Sequence, residues 1–168
     1  MKRVLLIMIL SISGSLVSKA QTAIEKQTSS SASSVLEFAN GTTKGIILPS
    51  VETLPTTPAN GTFLLDKTDK KIKIYQNGYW LELSGVGNTT TIVPYSGTVD
   101  NGKKTIIGDK TTTADGILVL EATNKALVLP HVANPHLNVK TPYPGMLCYD
   151  TVSKSLAVFD GSVWNYWK

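Results

Sequence analysis

A single cysteine, only two histidines and the lack of any long apolar run after the N-terminus narrow what this 168-residue chain can be. Cys148 alone cannot build a disulfide framework within the chain, even in an oxidising compartment. It occupies an apolar strand position and reads as a buried thiol that packs like a small hydrophobe. His131 and His136 fall in one loop with Pro135 between them, which argues against a helix across both, and no second thiol stands by to complete a zinc set. No phosphate-cradling glycine loop and no nucleophile-elbow serine occur. We expect no enzyme, no metal and no cofactor.

The one strongly apolar stretch is an address. Met1-Lys2-Arg3 forms a basic start, Val4 to Leu10 with Ile12 an apolar centre, and Ser18-Lys19-Ala20 a small-residue cleavage site. Residues 1–20 thus read as a signal peptide, too short to span a membrane. Cleavage would leave Gln21 first, and we expect the product in the periplasm, at the outer membrane or on the cell surface. No transmembrane helix is expected in the mature chain. Losing Lys2, Arg3 and Lys19 leaves 13 basic residues from 16 against 12 acidic ones, so the net charge of +4 falls to +1. That balance gives nucleic acid no basic stripe to bind. Lys67, Lys70, Lys71 and Lys73 do cluster, but Asp66 and Asp69 lie among them, as at a solvated hairpin tip.

What is present is a repeat. Lys44-Gly-Ile-Ile-Leu-Pro49-Ser-Val51, then Gly61, Asp66, Lys70, Tyr75 and Trp80, recurs as Lys125-Ala-Leu-Val-Leu-Pro130-His-Val132, then Gly145, Asp150, Lys154, Phe159 and Trp164. The offset is 81 residues up to the prolines and 84 from the glycines onward. A three-residue insertion between Ala133 and Tyr143 explains the change, and insertions of that kind belong in loops. A period of this kind marks a supersecondary unit used twice.

The unit reads as strands. Short apolar runs at 35–38, 45–48 and 62–65 have counterparts at 117–120, 126–129 and 146–149, and 71–75 alternates, with Ile72 and Ile74 opposite Lys71, Lys73 and Tyr75. Pro49 and Pro130 end strands, since proline lacks the N–H a central strand donates. Asn77-Gly78 and Asp160-Gly161 suit tight hairpins, and Asp66 and Asp150 open turns by accepting a backbone N–H two residues on. The expected fold is all-β: two tandem antiparallel β-meander repeats, residues 35–83 and 116–168, joined by a β-rich Thr/Gly spacer, 84–115. Within the spacer, 91–93 and 105–107 are candidate strands and Asn101-Gly102 a turn. Residues 21–34, polar and Ser-rich, read as a flexible leader.

Ile107-Gly-Asp109, Ala114 to Glu121, Lys125 to Pro130, Gly145 to Thr151 and Phe159-Asp-Gly-Ser-Val-Trp164 together resemble a repeat of secreted bacterial surface proteins. In that family it stands ahead of tail-fibre-like domains with an intramolecular chaperone. The first copy, Glu37 to Trp80, fits the same template, though Pro49-Ser-Val51 and Pro130-His-Val132 replace the family's Pro-Arg-Met. The resemblance implies a structural or adhesive module of the envelope or cell surface, working as a homo-oligomer or inside an envelope complex. Pro49, Gly61, Asp66, Trp80, Pro130, Gly145, Asp150 and Trp164 define the repeat. Trp80 and Trp164, recurring at one place, read as packing residues. Tyr79 and Trp167 lack aromatic counterparts and are the candidates for contact with a partner or a glycan. A carbohydrate-binding module using such exposed aromatics is the alternative. Asp150-Thr151-Val152 also fits an acceptor pattern for O-glycosylation at Thr151, while Asn40-Gly-Thr and Asn60-Gly-Thr read as turns.

Overall fold

A computed structural model describes residues 21–93 and 104–168. The expected signal peptide and the expected Asn101-Gly102 turn lie outside the described residues.

Among the described residues the chain is, in its regular structure, almost wholly β. In order it forms β1 (Thr22–Ile24), β2 (Ser34–Phe38), β3 (Ile46–Ile47), β4 (Ser50–Val51), β5 (Phe63–Asp66), β6 (Lys71–Gln76) and β7 (Tyr79–Glu82). Then come β8 (Thr105–Ile107), β9 (Leu118–Leu120), β10 (Ala126–Val128) and β11 (His131–Val132). A single helical turn, α1 (Pro135–Asn138), precedes β12 (Met146–Asp150), β13 (Ser155–Phe159) and β14 (Trp164–Trp167). No helix spans both histidines, since His131 lies in β11; Pro135 instead opens α1, where a proline at the first helical position lacks only an N–H that would be unpaired anyway.

The first repeat builds the four-stranded sheet β4-β5-β6-β7, and the second builds β11-β12-β13-β14, to which β3 of the first repeat adds a fifth strand beside β12. The last three strands are the expected antiparallel meander, while the strand after each proline joins in parallel: β4 beside β5 and β11 beside β12. The backbone bonds repeat as well. Leu65 N–H donates to Pro49 O at 2.9 Å and Tyr149 N–H to Pro130 O at 2.9 Å.

The two sheets share one core. Leu65 and Ile72 of the first meet Leu147 and Val158 of the second, closed by Leu48, Leu83 and Ile92. Burying such a side chain contributes about 1.5–3 kcal/mol, so neither sheet keeps its apolar face covered without the other. On the outer side of the second sheet, Val132, Cys148 and Ala157 form a smaller cluster against Val139 and Trp164.

Strands β1, β2 and β10 form a separate, all-parallel sheet, and β8 and β9 a parallel pair. Successive rungs stack, as in a solenoid: Thr22 lies opposite Leu36 and Thr105 opposite Leu118. This departs from the leader expected at 21–34. Gln21 donates to Ser31 O and Ser34 O, and Glu37, buried, accepts from Lys26, Ser29 and Ser30. The Ser-rich composition supplies hydroxyls to one buried carboxylate.

The spacer differs too. Residues 105–107 form the expected strand, but 91–93 do not; Ile92 instead fills the shared core. Gly87 N–H donates to Lys70 O at 2.8 Å and Asn88 N–H to Asp160 O at 2.9 Å, so the first spacer residues stitch one repeat to the other.

Candidate assembly surface

The repeat-defining glycines and aspartates sit in turns. Gly61 and Gly145 both have positive φ, 88° and 86°, a region glycine enters without a Cβ penalty. Asp66 Oδ1 accepts from Thr68 N–H at 2.9 Å, and Asp150 Oδ1 from Val152 N–H at 3.0 Å, as the turn chemistry requires. Trp80 and Trp164 are half-buried and lean on Tyr75 and Phe159 at centroid distances of 5.2 and 5.4 Å.

The second hairpin departs from expectation by one residue. Asn77 and Gly78 are the central pair of the first, both with positive φ. In the second, Asp160 N–H reaches Val163 O, so the central pair is Gly161-Ser162 and only Gly161 has positive φ, at 97°. That leaves Asp160 buried, its carboxylate accepting from Ser162 and Val163 N–H, each at 2.8 Å, and from Asn165 Nδ2.

The lysine cluster is not wholly solvated. Lys73 is buried and its Nζ lies 2.9 Å from Asp66 and 2.5 Å from Asp69. Burial opposes ionisation of Asp66, but Lys73 and Thr68 N–H outweigh it and hold the carboxyl below its usual range. Burial likewise disfavours charge on Lys73, and the two aspartates overcome it, raising the amine. The second repeat replaces this cluster with neutral partners. Ala157 stands for Lys73 and Ser153 for Asp69, and Asp150 accepts from Ser153 Oγ at 2.6 Å and Asn134 N–H at 3.0 Å.

Among the described residues, no three metal-capable side chains converge. His136, exposed, lies 2.9 Å from the Tyr166 hydroxyl, and His131 packs beside Tyr149. Burial pushes the Cys148 thiol up to about 12, so it stays protonated. No described helix is long and apolar enough to cross a membrane.

The contact candidates are both exposed, Tyr79 at 53% and Trp167 at 39%. They do not form one platform. Tyr79 begins β7, whereas Trp167 donates its indole N–H to Leu83 O just past that strand's far end. The separation of four residues along a strand is about 13 Å. Thr151 is half-buried in the turn after β12, its N–H donated to Val132 O.

The more extensive exposed feature was not foreseen. Ile24, Ile47, Ile117, Leu118 and Leu127 all face outward, in or beside the two parallel sheets and β3. Among the described residues these strands leave edges without a partner, a template for further strand pairing. The signal in the sequence was faint: Thr22-Ala-Ile and Thr105-Ile-Ile, each one rung ahead of an apolar strand.

Residues 106–168 match the family model described as a phage tail like trimerisation region. The match starts inside β8 and takes in the whole second repeat. This part of the chain is therefore similar to a structural, trimer-forming region. No curated protein and no solved structure matches.

Proposed function

We propose that this chain is an exported, non-enzymatic structural module that assembles as a homotrimer at the bacterial envelope or cell surface. The observation that carries the reading is the match of residues 106–168 to a trimerisation region. The strand edges left open among the described residues and the exposed apolar side chains inside that span support it, since Ile117, Leu118 and Leu127 all belong to it. A conserved chemical centre is not needed for this role: the chain acts by presenting strand edges and loops, with the shared two-sheet core holding them in place.

The test is the solution mass of the chain recovered after export, by light scattering across a concentration series, with N-terminal sequencing. A stable trimer beginning at Gln21 is expected. A monomer at every concentration overturns the assembly reading, and an uncleaved chain retained in the cytoplasm overturns the export reading.

Glycan binding is the second reading, favoured by the exposure of Tyr79 and Trp167. It predicts saturable sugar binding that disappears in Tyr79→Ala or Trp167→Ala; unchanged binding, or none to the unaltered chain, removes it.

A further inference from the structure

The two repeats differ in one backbone pairing. The edge of β12 is full: β11 takes Tyr149–Asp150, and β3 lies antiparallel beside Met146–Leu147. Leu48 N–H completes that pairing by donating to Gly145 O at 2.9 Å. On β5, β4 takes Leu65–Asp66, but among the described residues no strand takes the counterpart stretch Gly61–Phe63. Among the described residues no backbone N–H donates to Gly61 O. A Cβ placed on Gly61 would meet nothing within 4 Å, whereas one on Gly145 would meet Leu48 O at 3.4 Å.

The strand that corresponds to β3 is β10, and among the described residues only β2 pairs with it, leaving its other edge open. Ala126 N–H donates to Ser33 O at 2.7 Å, toward β2. The register against β2 shifts between Ala126 and Leu127, but the skipped residue, Val35, lies on β2, so alternation along β10 itself turns the backbone groups of Leu127 and Leu129 to the other side. Leu129 N–H, the counterpart of Leu48 N–H, donates to no backbone carbonyl among the described residues, and Leu127 is 37% exposed.

We infer that β10 of one copy pairs antiparallel with β5 of a second copy, reproducing between chains the β3–β12 pairing found within one. Leu127 lies opposite Phe63, Val128 opposite Thr62, and Leu129 N–H donates to Gly61 O. The two surfaces differ, so the contact is head-to-tail, and three such contacts close a ring. The inference rests on the proposed homotrimer and specifies its interface. One difference shapes the fit. Gly45 lets β3 approach β12 closely, since a Cβ there would meet Met146 Cγ at 2.6 Å and Leu147 O at 2.7 Å. Ala126 holds that position in β10. Thr62 stands for Met146 and removes the first contact; the second makes β10 stand off slightly, so the pairing begins at Leu127.

Leu127→Pro tests the pairing, because proline removes the N–H on the open edge while leaving Ala126 free to bond Ser33. By light scattering, the unaltered full chain is expected as a trimer and the variant as a monomer with unchanged circular dichroism. A variant that stays trimeric overturns the inference and leaves the trimer reading standing; an unaltered chain that is monomeric overturns both. Should the variant unfold, Thr62→Cys with Val128→Cys decides, since opposed residues of a non-hydrogen-bonded pair lie within disulfide reach. Oxidation is expected to join separate chains into covalent trimers on a denaturing gel. A disulfide within one chain, or none, overturns the inference.

Discussion

Trp167 donates its indole N–H to the backbone carbonyl of Leu83 at 2.7 Å, and these two residues, 84 apart, are each other's counterparts in the two repeats. The repeats thus meet through equivalent positions, one supplying a donor the other lacks. Trp167→Phe keeps the ring and deletes the donor. We expect a loss of about 1 kcal/mol, read as a fall of about 2–4 °C in melting temperature. An unchanged midpoint would show that the bond contributes nothing to holding the sheets together.

Gly161 and Gly78 sit in equivalent hairpins but in different surroundings. A Cβ on Gly161 would lie 1.7 Å from Asn88 O, while one on Gly78 would meet nothing. Both have positive φ, so each change to Ala carries strain of about 1–2 kcal/mol. Gly161→Ala is expected to cost clearly more than Gly78→Ala, because it also breaks the stitch between spacer and second repeat. Denaturant midpoints of the two variants provide the comparison.

The Asp66–Lys73–Asp69 cluster predicts non-additivity. Lys73→Ala leaves a buried carboxylate without its cation and should cost about 3 kcal/mol. Adding Asp69→Ser copies the neutral solution of the second repeat, giving Asp66 a hydroxyl donor and removing a repulsive neighbour. The double variant should therefore be more stable than Lys73→Ala alone. Additive losses in urea unfolding would refute that account.

The same groups set a pH window. Asp66 and Asp150 are held below their ordinary 3.8 and Glu37 below 4.5, Glu37 by Lys26 and then by the Ser29 and Ser30 hydroxyls. At mildly acid pH the unfolded chain binds more protons than the folded one, so their stabilisation is present above those values and lost as pH falls through the folded ones. Lys73, raised above 10.5, adds stability that is present below that value and lost as pH climbs past its folded one. Urea midpoints should be flat from about pH 6 to 9 and decline below about pH 4; a midpoint that rises on acidification would contradict the carboxylate environments.

Cys148 should resist a thiol reagent in the native protein and react once the chain unfolds, as expected for a buried thiol pushed up to about 12. Rapid native-state labelling would show that the second sheet's outer face opens.

The hairpins were legible because their information is local. In their turns Asp66 and Asp150 accept an N–H two residues on, Asn77, Gly78, Gly61 and Gly145 take positive φ at their own positions, and the 84-residue offset places the turns in matching places. The Asp160 turn was misplaced by one residue because Asp-Gly looks like a central pair, and only its bonds to Ser162, Val163 and Asn165 show the aspartate acting from the flank. Thr91-Ile92-Val93 carried strand propensity, yet the hole between the sheets claimed Ile92. Exposure of Tyr79 and Trp167 was anticipated, but not that the indole N–H of Trp167 is engaged by the other repeat.

By itself the sequence determined the all-β class, the duplicated unit and its turns, since hydrophobic alternation and glycine, aspartate and proline placement act at short range. Only the tertiary structure decided that the repeats share one core, that Thr22–Ile24 and Thr105–Ile107 pair in parallel with distant strands, and that β3 and β10 part ways. Parallel pairing and sheet packing join residues far apart in the chain, and nothing in a local pattern records which edge a strand will find. The difference between β3 and β10 comes down to Gly45 against Ala126 and to β2 lying within reach, a comparison of competing partners that exists only once the chain has folded.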